Sequence, residues 1–576
     1  MRLPISDSRW EKKVFPPAGV TADEAATLAI ERDANRGPCL VVGPWRRGRY
    51  STRFQYAEPL PFTTGVLRAY YRTEDLPIYG ATVYIEFRAG KRRIATKYLG
   101  LAPAKDWTPF EFAFRSAPTG ADSVSPGLGL AGKTEGKALF TGLTMSPRAP
   151  ELELPADPGP VTRPAPPDRC QKTGFYHLEE RGGVWWLITP EGEGFYSIGT
   201  DGPWLFRETD WMTRGREAAA FLRSAGFNSL AGWTNIRRWG PINDALAAGG
   251  EKPFAIFATL ETGSWSGRCD ALVDAGNDTT GEGHAFPDPF DPRFEEVYRG
   301  RVREIANIVR GKSWFIGYFA DNEVCHTELY RHVYSEHCSH AFRGFLESRY
   351  SDAAAVNEAW GTGFASFDAL IAGRPEPTKR TGLMYDDFRA FEREIVTRYV
   401  DITLRVIREE DPDHLVISNR FMLDDIGAWM DHLDLYSRYD AIAVNLYPAN
   451  QRAGLSDVEK LIYRTVHEKT GRPIIVGEWS IPALDSGLYD NPEKLDWSWN
   501  EVVGNQSERA RQAARVTLGF YNMPFVVGAH WFIWSDIDDE RRQANRGLVR
   551  AGGQPWDDLV EALTRAHARI GAAQAR

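Results

Sequence analysis

Two glutamates stand where buried strands end. Residues 314–323, WFIGYFADNE, run apolar and then close on Asp321, Asn322 and Glu323, and residues 473–480, PIIVGEWS, carry Glu478 directly after Val476 and Gly477. A carboxylate at the tip of an apolar strand is expensive to bury unless it is paired or used. Two that face each other suit a reaction in which one carboxyl group protonates a leaving oxygen and the other attacks carbon. Glycosidic bonds are cleaved with retention in this way when the groups stand roughly 5–5.5 Å apart, whereas a gap of about 6.5–9.5 Å admits a water and inverts. For either glutamate alone, an ion pair with a barrel arginine is the plain alternative. The pair together, each in its own motif, favours the chemistry.

The elements that must hold such a pair are legible around them. From residue 171 onward, apolar strand-like runs alternate with amphipathic helical segments, the pattern of a parallel sheet with crossover helices. Eight strands are expected, near Phe195, Asn228, Ile256, Ile316, Val416, Val444, Ile475 and Ala529. Eight βα units in roughly 400 residues make a (β/α)8 TIM barrel with insertions, whose reactive groups gather at the C-terminal ends of the strands. Helix ends are marked too. Asp291-Pro292 supplies a cap and a first-turn proline, Ser456 and Glu459 a capping box, and Gly471 then Pro473 a stop. The largest insertion, residues 324–413, reads as helical.

Ahead of the barrel, residues 40–145 alternate apolar and polar in short runs such as GVLRAYYRT (65–73), ATVYIEFRA (81–89) and FEFAFRS (110–116), which predicts an antiparallel, jelly-roll-like β-sandwich. Eight prolines between Pro147 and Pro167 exclude a helix or central strand and predict a semi-rigid linker. The expected organisation is therefore a sandwich over 1–146, a linker over 147–170 and a barrel over 171–576.

A formal charge of -9 and a pI near 5.8 provide no basic stripe for phosphates or anionic lipid, so nucleic acid and membrane partners are not expected. An aromatic share of 12% with 19 Trp suits stacking on sugar rings as well as core filling. The five cysteines lack CxxC spacing, which argues for a reducing compartment. The opening MRLPISDSRWEKK has no apolar signal core, so a cytoplasmic location is expected; a chain whose signal peptide had been removed, secreted or periplasmic, would read the same. His332, His337, Cys338 and His340 lack metal-ligand spacing. Asp536, Asp538, Asp539 and Glu540 lack EF-hand spacing and read as a solvated loop. Neither a metal nor a cofactor is expected.

Several segments carry a family resemblance: GFYSIGTDG (194–202), GFNSLAGW (226–233), FPDPFDP (286–292), GYFADNE (317–323), SNRF (418–421), VGEWSIPALDSGLY (476–489) and GAHWFIWSD (528–536). Asn322-Glu323 after a fourth strand and Glu478 after a seventh resemble the paired signature of glycoside hydrolase clan A. Within that clan the chain is most similar to family 50, the β-agarases, and AVNEAWGTGF (355–364) resembles a segment of the family 42 β-galactosidases. The resemblance implies Glu323 as acid/base and Glu478 as nucleophile, with Asn322 contacting the hydroxyl beside the reacting carbon and Tyr447 hydrogen-bonding the nucleophile. It also implies a sugar-stacking tryptophan on the eighth strand, Trp531 or Trp534, of which only one can face inward because they lie three apart. Asn419 and Arg420 at the end of the fifth strand, Asn228 and Trp233 around the second, and Asn545 in the eighth-strand loop are candidates for substrate contact, with a scaffold role as the alternative.

The sequence departs from the agarase pattern at Ser480, where a His is expected, and at Pro482, where a Gly is expected. Its eighth-strand loop, DIDDERRQANRGLV, is shorter. These positions shape subsites, so agar specificity is the open point. The sandwich resembles carbohydrate-binding domains in DWTPFEFAF (106–114) and ALFTGLTMS (138–146), with a buttress for the barrel as the alternative. The expectation is thus a retaining β-glycoside hydrolase acting on a β-linked, galactosidic oligo- or polysaccharide. A β-glycosidase of other specificity and a non-catalytic carbohydrate-binding barrel are the alternatives.

Overall fold

The computed structural model describes residues 3, 10–13, 26–45, 53–56, 59–76, 78, 80–114, 117–118, 120–130, 136–147, 157–167, 170–203, 205, 209–261, 286–326, 329–377, 381–422, 426–448, 454–488, 502–539 and 543–575. Eight parallel strands close on themselves: β1 (Ser197–Thr200), β2 (Ser229–Leu230), β3 (Ala255–Thr259), β4 (Phe315–Phe319), β5 (Leu415–Met422), β6 (Ala441–Asn445), β7 (Ile474–Trp479) and β8 (Val526–Trp531). Closure is made by β1 on β8, with Ser197 opposite Gly528 and Thr200 opposite Trp531. Most strand residues are buried on both faces, which is why these strands read as continuous apolar runs rather than alternating ones. Gly317 is required on β4, because a Cβ there would stand 2.1 Å from the Leu415 carbonyl oxygen of β5.

The expected first strand near Phe195 falls slightly early. Gly194–Phe195 belongs to a three-stranded sheet with His177–Arg181 and Val184–Ile188, and the barrel begins at Ser197. Tyr176, Leu187 and Phe195 of that segment pack with Phe257, Ile316, Leu415, Ala441 and Ile475, residues at or near the N-terminal ends of the barrel strands, so it plugs the barrel floor. The floor also receives the proline-rich segment. Arg163, buried, donates to the carbonyls of Tyr521, Met523 and Val526 at 3.2, 2.9 and 2.7 Å, and its guanidinium lies 4.2 Å from the Trp186 ring centroid.

The helix ends follow their sequence signals. Asp291 caps Pro292–Val309 by accepting from Arg293 N. Ser456 and Glu459 form the capping box of Asp457–Thr470, which Gly471 ends in the left-handed region at φ 64°. The insertion after β4 is helical, comprising Glu336–Arg349, Ala353–Trp360, Phe367–Gly373 and the 28-residue Leu383–Glu410. Buried Asp387 ties it together, accepting from Tyr350 OH at 2.6 Å and Trp360 Nε1 at 2.9 Å. Among the described residues no helix is long and apolar enough to cross a membrane.

The N-terminal residues form two five-stranded antiparallel sheets around a core of their own. Strands Trp10–Lys13 and Ala26–Asp33 join those sheets ahead of residue 40. The second ends in the charged run Glu31-Arg32-Asp33, which hides the alternation. That core also takes in Val502 and packs against Leu484. Lys97 Nζ donates to the Val502 carbonyl at 3.1 Å. The loop that leaves the nucleophile strand is thereby anchored in the sandwich.

Candidate active site

Glu478 lies near the C-terminal end of β7, buried to 6% exposure. Both of its oxygens are held: Trp233 Nε1 donates to Oε1 at 2.6 Å and Tyr447 OH to Oε2 at 2.5 Å. The Arg420 guanidinium on β5 stands 3.1 Å from Oε1 as an ion pair, off the line of a hydrogen bond. Arg420 is itself fully buried, packed between the rings of Trp233 at 4.8 Å and Phe319 at 5.4 Å. Tyr447 remains a donor throughout, because burial, and then the charge of Glu478, holds its phenol well above the ordinary range. Gly477 makes the arrangement possible, since a Cβ there would meet Asn445 Oδ1 at 2.6 Å and Arg420 Cδ at 2.8 Å.

Glu323 comes from the segment just beyond β4. Its backbone sits in the left-handed region at φ 53°, a conformation that costs a non-glycine residue about 1–3 kcal/mol and recurs at functional sites. It is fixed by Glu323 N–H donating to the Arg420 carbonyl at 3.0 Å and by the Asn322–Arg420 bridge. Asn445, at the end of β6 and opposite Glu478 in register, donates from Nδ2 to Glu323 Oε1 at 2.7 Å and to Asn322 Oδ1 at 3.3 Å. One asparagine therefore adjoins both glutamates.

A third carboxyl group belongs to the site. Asp201 directly follows β1, is 1% exposed, and accepts from Trp233 N at 2.8 Å. Burial, and then the charge of Glu478, push it up to about 7, against the pull of Arg420. On the opposite side, Arg546 lies 4.3 Å from the Tyr447 ring centroid and donates to Ser480 Oγ at 3.0 Å. Phe532 meets the Tyr447 ring edge-on at 6.4 Å. Among the described residues no cluster of three or more His, Cys, Asp or Glu could hold a metal ion.

The family model described as beta-galactosidase, that of glycoside hydrolase family 42, matches residues 279–487, a span that contains both glutamates. Beta-agarase B of Vibrio sp. (strain JT0107) is 23% identical over 482 residues, covering 69% of this chain and 48% of that protein. Beta-galactosidase Bga of Halorubrum lacusprofundi is 32% identical over 261 residues, covering 42% of this chain and 34% of that protein. The chain thus spans about half or less of the length of these curated relatives. The solved structure of an exo-beta-agarase superposes with a TM-score of 0.60 at 15% identity, covering 95% of this chain and 97% of that one. The chain is most like family 50 of glycoside hydrolase clan A and also resembles family 42. The exo-beta-agarase likeness extends over nearly the whole chain, sandwich included, and at that identity it is a likeness of fold.

Of the residues expected from sequence, the structure brings Glu323, Glu478, Asn322, Tyr447, Arg420 and Trp233 together. The eighth-strand tryptophans lie elsewhere. Trp531 is 1% exposed, packs edge-on against Trp479 at 4.9 Å and donates to the Arg546 carbonyl at 2.9 Å, in the layer between barrel and helices. Trp534 lies beyond the strand and meets Phe221 of helix Trp211–Ser224 at 5.6 Å. Trp531 does not face the glutamates, because the alternation of β8 turns His530 inward and Trp531 outward.

Asn228 is a strand tie, accepting from Ile198 N at 2.8 Å and donating to the Tyr196 carbonyl at 3.0 Å. Asn419 accepts from Val324 N at 3.3 Å and so supports the β4 loop from behind. Asn545 is wholly buried and joins Ala483 N, Gln506 and Asp536. Asp536 is likewise no solvated loop residue. It is buried and accepts from Gly547 N at 2.8 Å and Trp556 Nε1 at 2.9 Å; Asp538 and Asp539 are exposed, and Glu540 lies outside the described residues.

Asp201, Asn445, Arg546 and Phe532 are site residues the sequence reading missed. For Asp201 the signal was present, since it is another polar residue ending a barrel strand, inside the GFYSIGTDG segment. For Asn445 it was the polar end of AIAVN. Arg546 and Phe532 lie on irregular backbone after β8, where no periodicity points.

Proposed function

We propose that this chain is a retaining β-glycoside hydrolase acting on a β-galactosidic, agar-like oligo- or polysaccharide, with Glu323 as general acid/base and Glu478 as nucleophile. The observation that carries the reading is that the barrel brings the two strand-tip glutamates to one mouth, both adjoining Asn445. Glu478 meets the Tyr447 phenol, the Trp233 indole and the Arg420 guanidinium, and Glu323 meets the Asn445 amide. The roles of acid/base and nucleophile follow the resemblance to clan A. Relatives named beta-agarase and beta-galactosidase support the galactosidic class.

In the first step a Glu478 oxygen forms a bond to the anomeric carbon as the glycosidic bond breaks, and Glu323 passes its proton to the leaving oxygen. In the second, Glu323 takes a proton from water, whose oxygen displaces Glu478 and restores the β configuration. Tyr447 and Trp233 hold the nucleophile, and Asn322, next to Glu323, is the proposed contact for the hydroxyl beside the reacting carbon. Arg420 stands against Glu478 as an ion-pair partner.

Aryl β-galactosides and agar-derived oligosaccharides, incubated with the protein and followed by proton NMR, test the reading. The first-formed anomer is expected to be β. An initial α product excludes Glu478 as the attacking group, and binding without turnover across the panel points to a carbohydrate-binding barrel. Glu478→Ala is expected to abolish hydrolysis, and azide to restore Glu323→Ala on a substrate with a good leaving group.

A further inference from the structure

Asp201 is a buried carboxyl group for which the double displacement has no use, yet it is one hydrogen bond from a residue that touches the nucleophile. Its Oδ1 accepts Trp233 N at 2.8 Å, and the indole of the same tryptophan donates to Glu478 Oε1 at 2.6 Å. One residue is therefore pinned at its backbone and delivers its side chain to the attacking group. The Trp233 ring is backed by the Arg420 guanidinium at 4.8 Å, which also pairs with Glu478. The charged groups set against Asp201 are Glu478 on β7 and Arg420 on β5.

We infer that Asp201 is a positioning residue for Glu478, acting through Trp233: its carboxyl group locks the backbone from which the indole reaches the nucleophile. The inference rests on Glu478 being the nucleophile named above. Its chemistry is ordinary. A carboxylate holds a backbone N–H more firmly than a neutral acceptor does, and small displacements of a positioning group depress turnover by up to about a hundredfold. Burial carries Asp201 up to about 7, so the strength of this hold changes across neutral pH, firmer on the alkaline side. The ionised form also sets a second negative charge near Glu478, which Arg420 offsets.

Selective 15N labelling of tryptophan in the full chain tests this, with Trp233→Phe identifying the resonance. The Trp233 indole proton is expected far downfield, as a short bond to a carboxylate demands, and its shift is expected to titrate near pH 7. Asp201→Ala should move it upfield and lower kcat on an aryl β-galactoside by about tenfold to a hundredfold, with a smaller change in KM. Asp201→Asn keeps an acceptor without the charge, so it should hold the resonance nearer its parent position but abolish the titration. An indole resonance unmoved in Asp201→Ala overturns the inference, as does a parent-like titration in Asp201→Asn should the alanine variant not fold. If the parent hydrolyses no glycoside, the proposed function fails, and the indole spectra still decide whether Asp201 governs Trp233.

Discussion

The Tyr447 phenol donates a hydrogen bond to Oε2 of Glu478 across 2.5 Å. The bond joins the tip of β7 to the residue two places beyond β6, and burial, then the charge of Glu478, holds the phenol well above its ordinary range, so it stays a donor. Tyr447→Phe removes only that donor. Hydrogen bonds to charged groups contribute about 1.5–3 kcal/mol, so kcat should fall roughly ten- to hundredfold. The loss should fall on kcat rather than on KM, measured on an aryl β-galactoside. A change confined to KM would show that Tyr447 shapes the pocket without holding the nucleophile.

Asn445 fixes the orientation of the acid. Its Nδ2 donates to Glu323 Oε1, which sets how the carboxyl group points into the mouth. Asn445→Ala should therefore slow substrates with poor leaving groups, which need protonation, far more than activated aryl glycosides, which do not. The measurement is the dependence of kcat on leaving-group pKa across an aryl series, and a uniform loss across that series would count against the role.

The buried acid at the end of β1 should be visible in stability as well as in turnover. In the folded chain Asp201 keeps its proton up to about pH 7, whereas an unfolded aspartate ionises near 3.8. Between these values the unfolded chain sheds its proton first, so stability falls as pH rises from about 4 to 7, and the deficit persists above 7. Asp201→Asn removes the ionisation. Its thermal midpoint should exceed that of the parent at pH 8, and the difference should shrink towards pH 4. Such a gain paired with slower turnover is the expected trade at a functional site.

The sandwich should influence substrate affinity through one contact. Val502 sits in the sandwich core while the adjacent Val503 donates to the Pro482 carbonyl, four residues after the nucleophile. Val502→Ala opens a cavity at a cost of roughly 1–3 kcal/mol. A lower thermal midpoint should appear together with a raised KM for oligosaccharides, and a smaller effect on a short aryl glycoside. An unchanged KM for oligosaccharides would separate the sandwich from the site.

By itself the sequence determined most of the barrel strands and the two strand-tip glutamates, because both are local properties. An apolar run that ends abruptly in a polar residue marks a buried strand and its polar tip, wherever the rest of the chain goes. The same locality made the caps at Asp291 and Ser456 readable. Facing is not local, and only the tertiary structure decided it. In a closed barrel the direction of each side chain follows from register, and the register shifts between Val444 and Asn445 on β6 and between Val476 and Trp479 on β7. A shift of one place exchanges inward for outward. Irregularities at the mouth are thus what re-aim Asn445 and Glu478. Inward His530 leaves Trp531 in the outer layer, and Phe532, on irregular backbone, meets Tyr447. The reach of Asp201 to Glu478 through Trp233 likewise exists only once β1, β2 and β7 are brought around one ring, since no spacing in the chain relates those three residues.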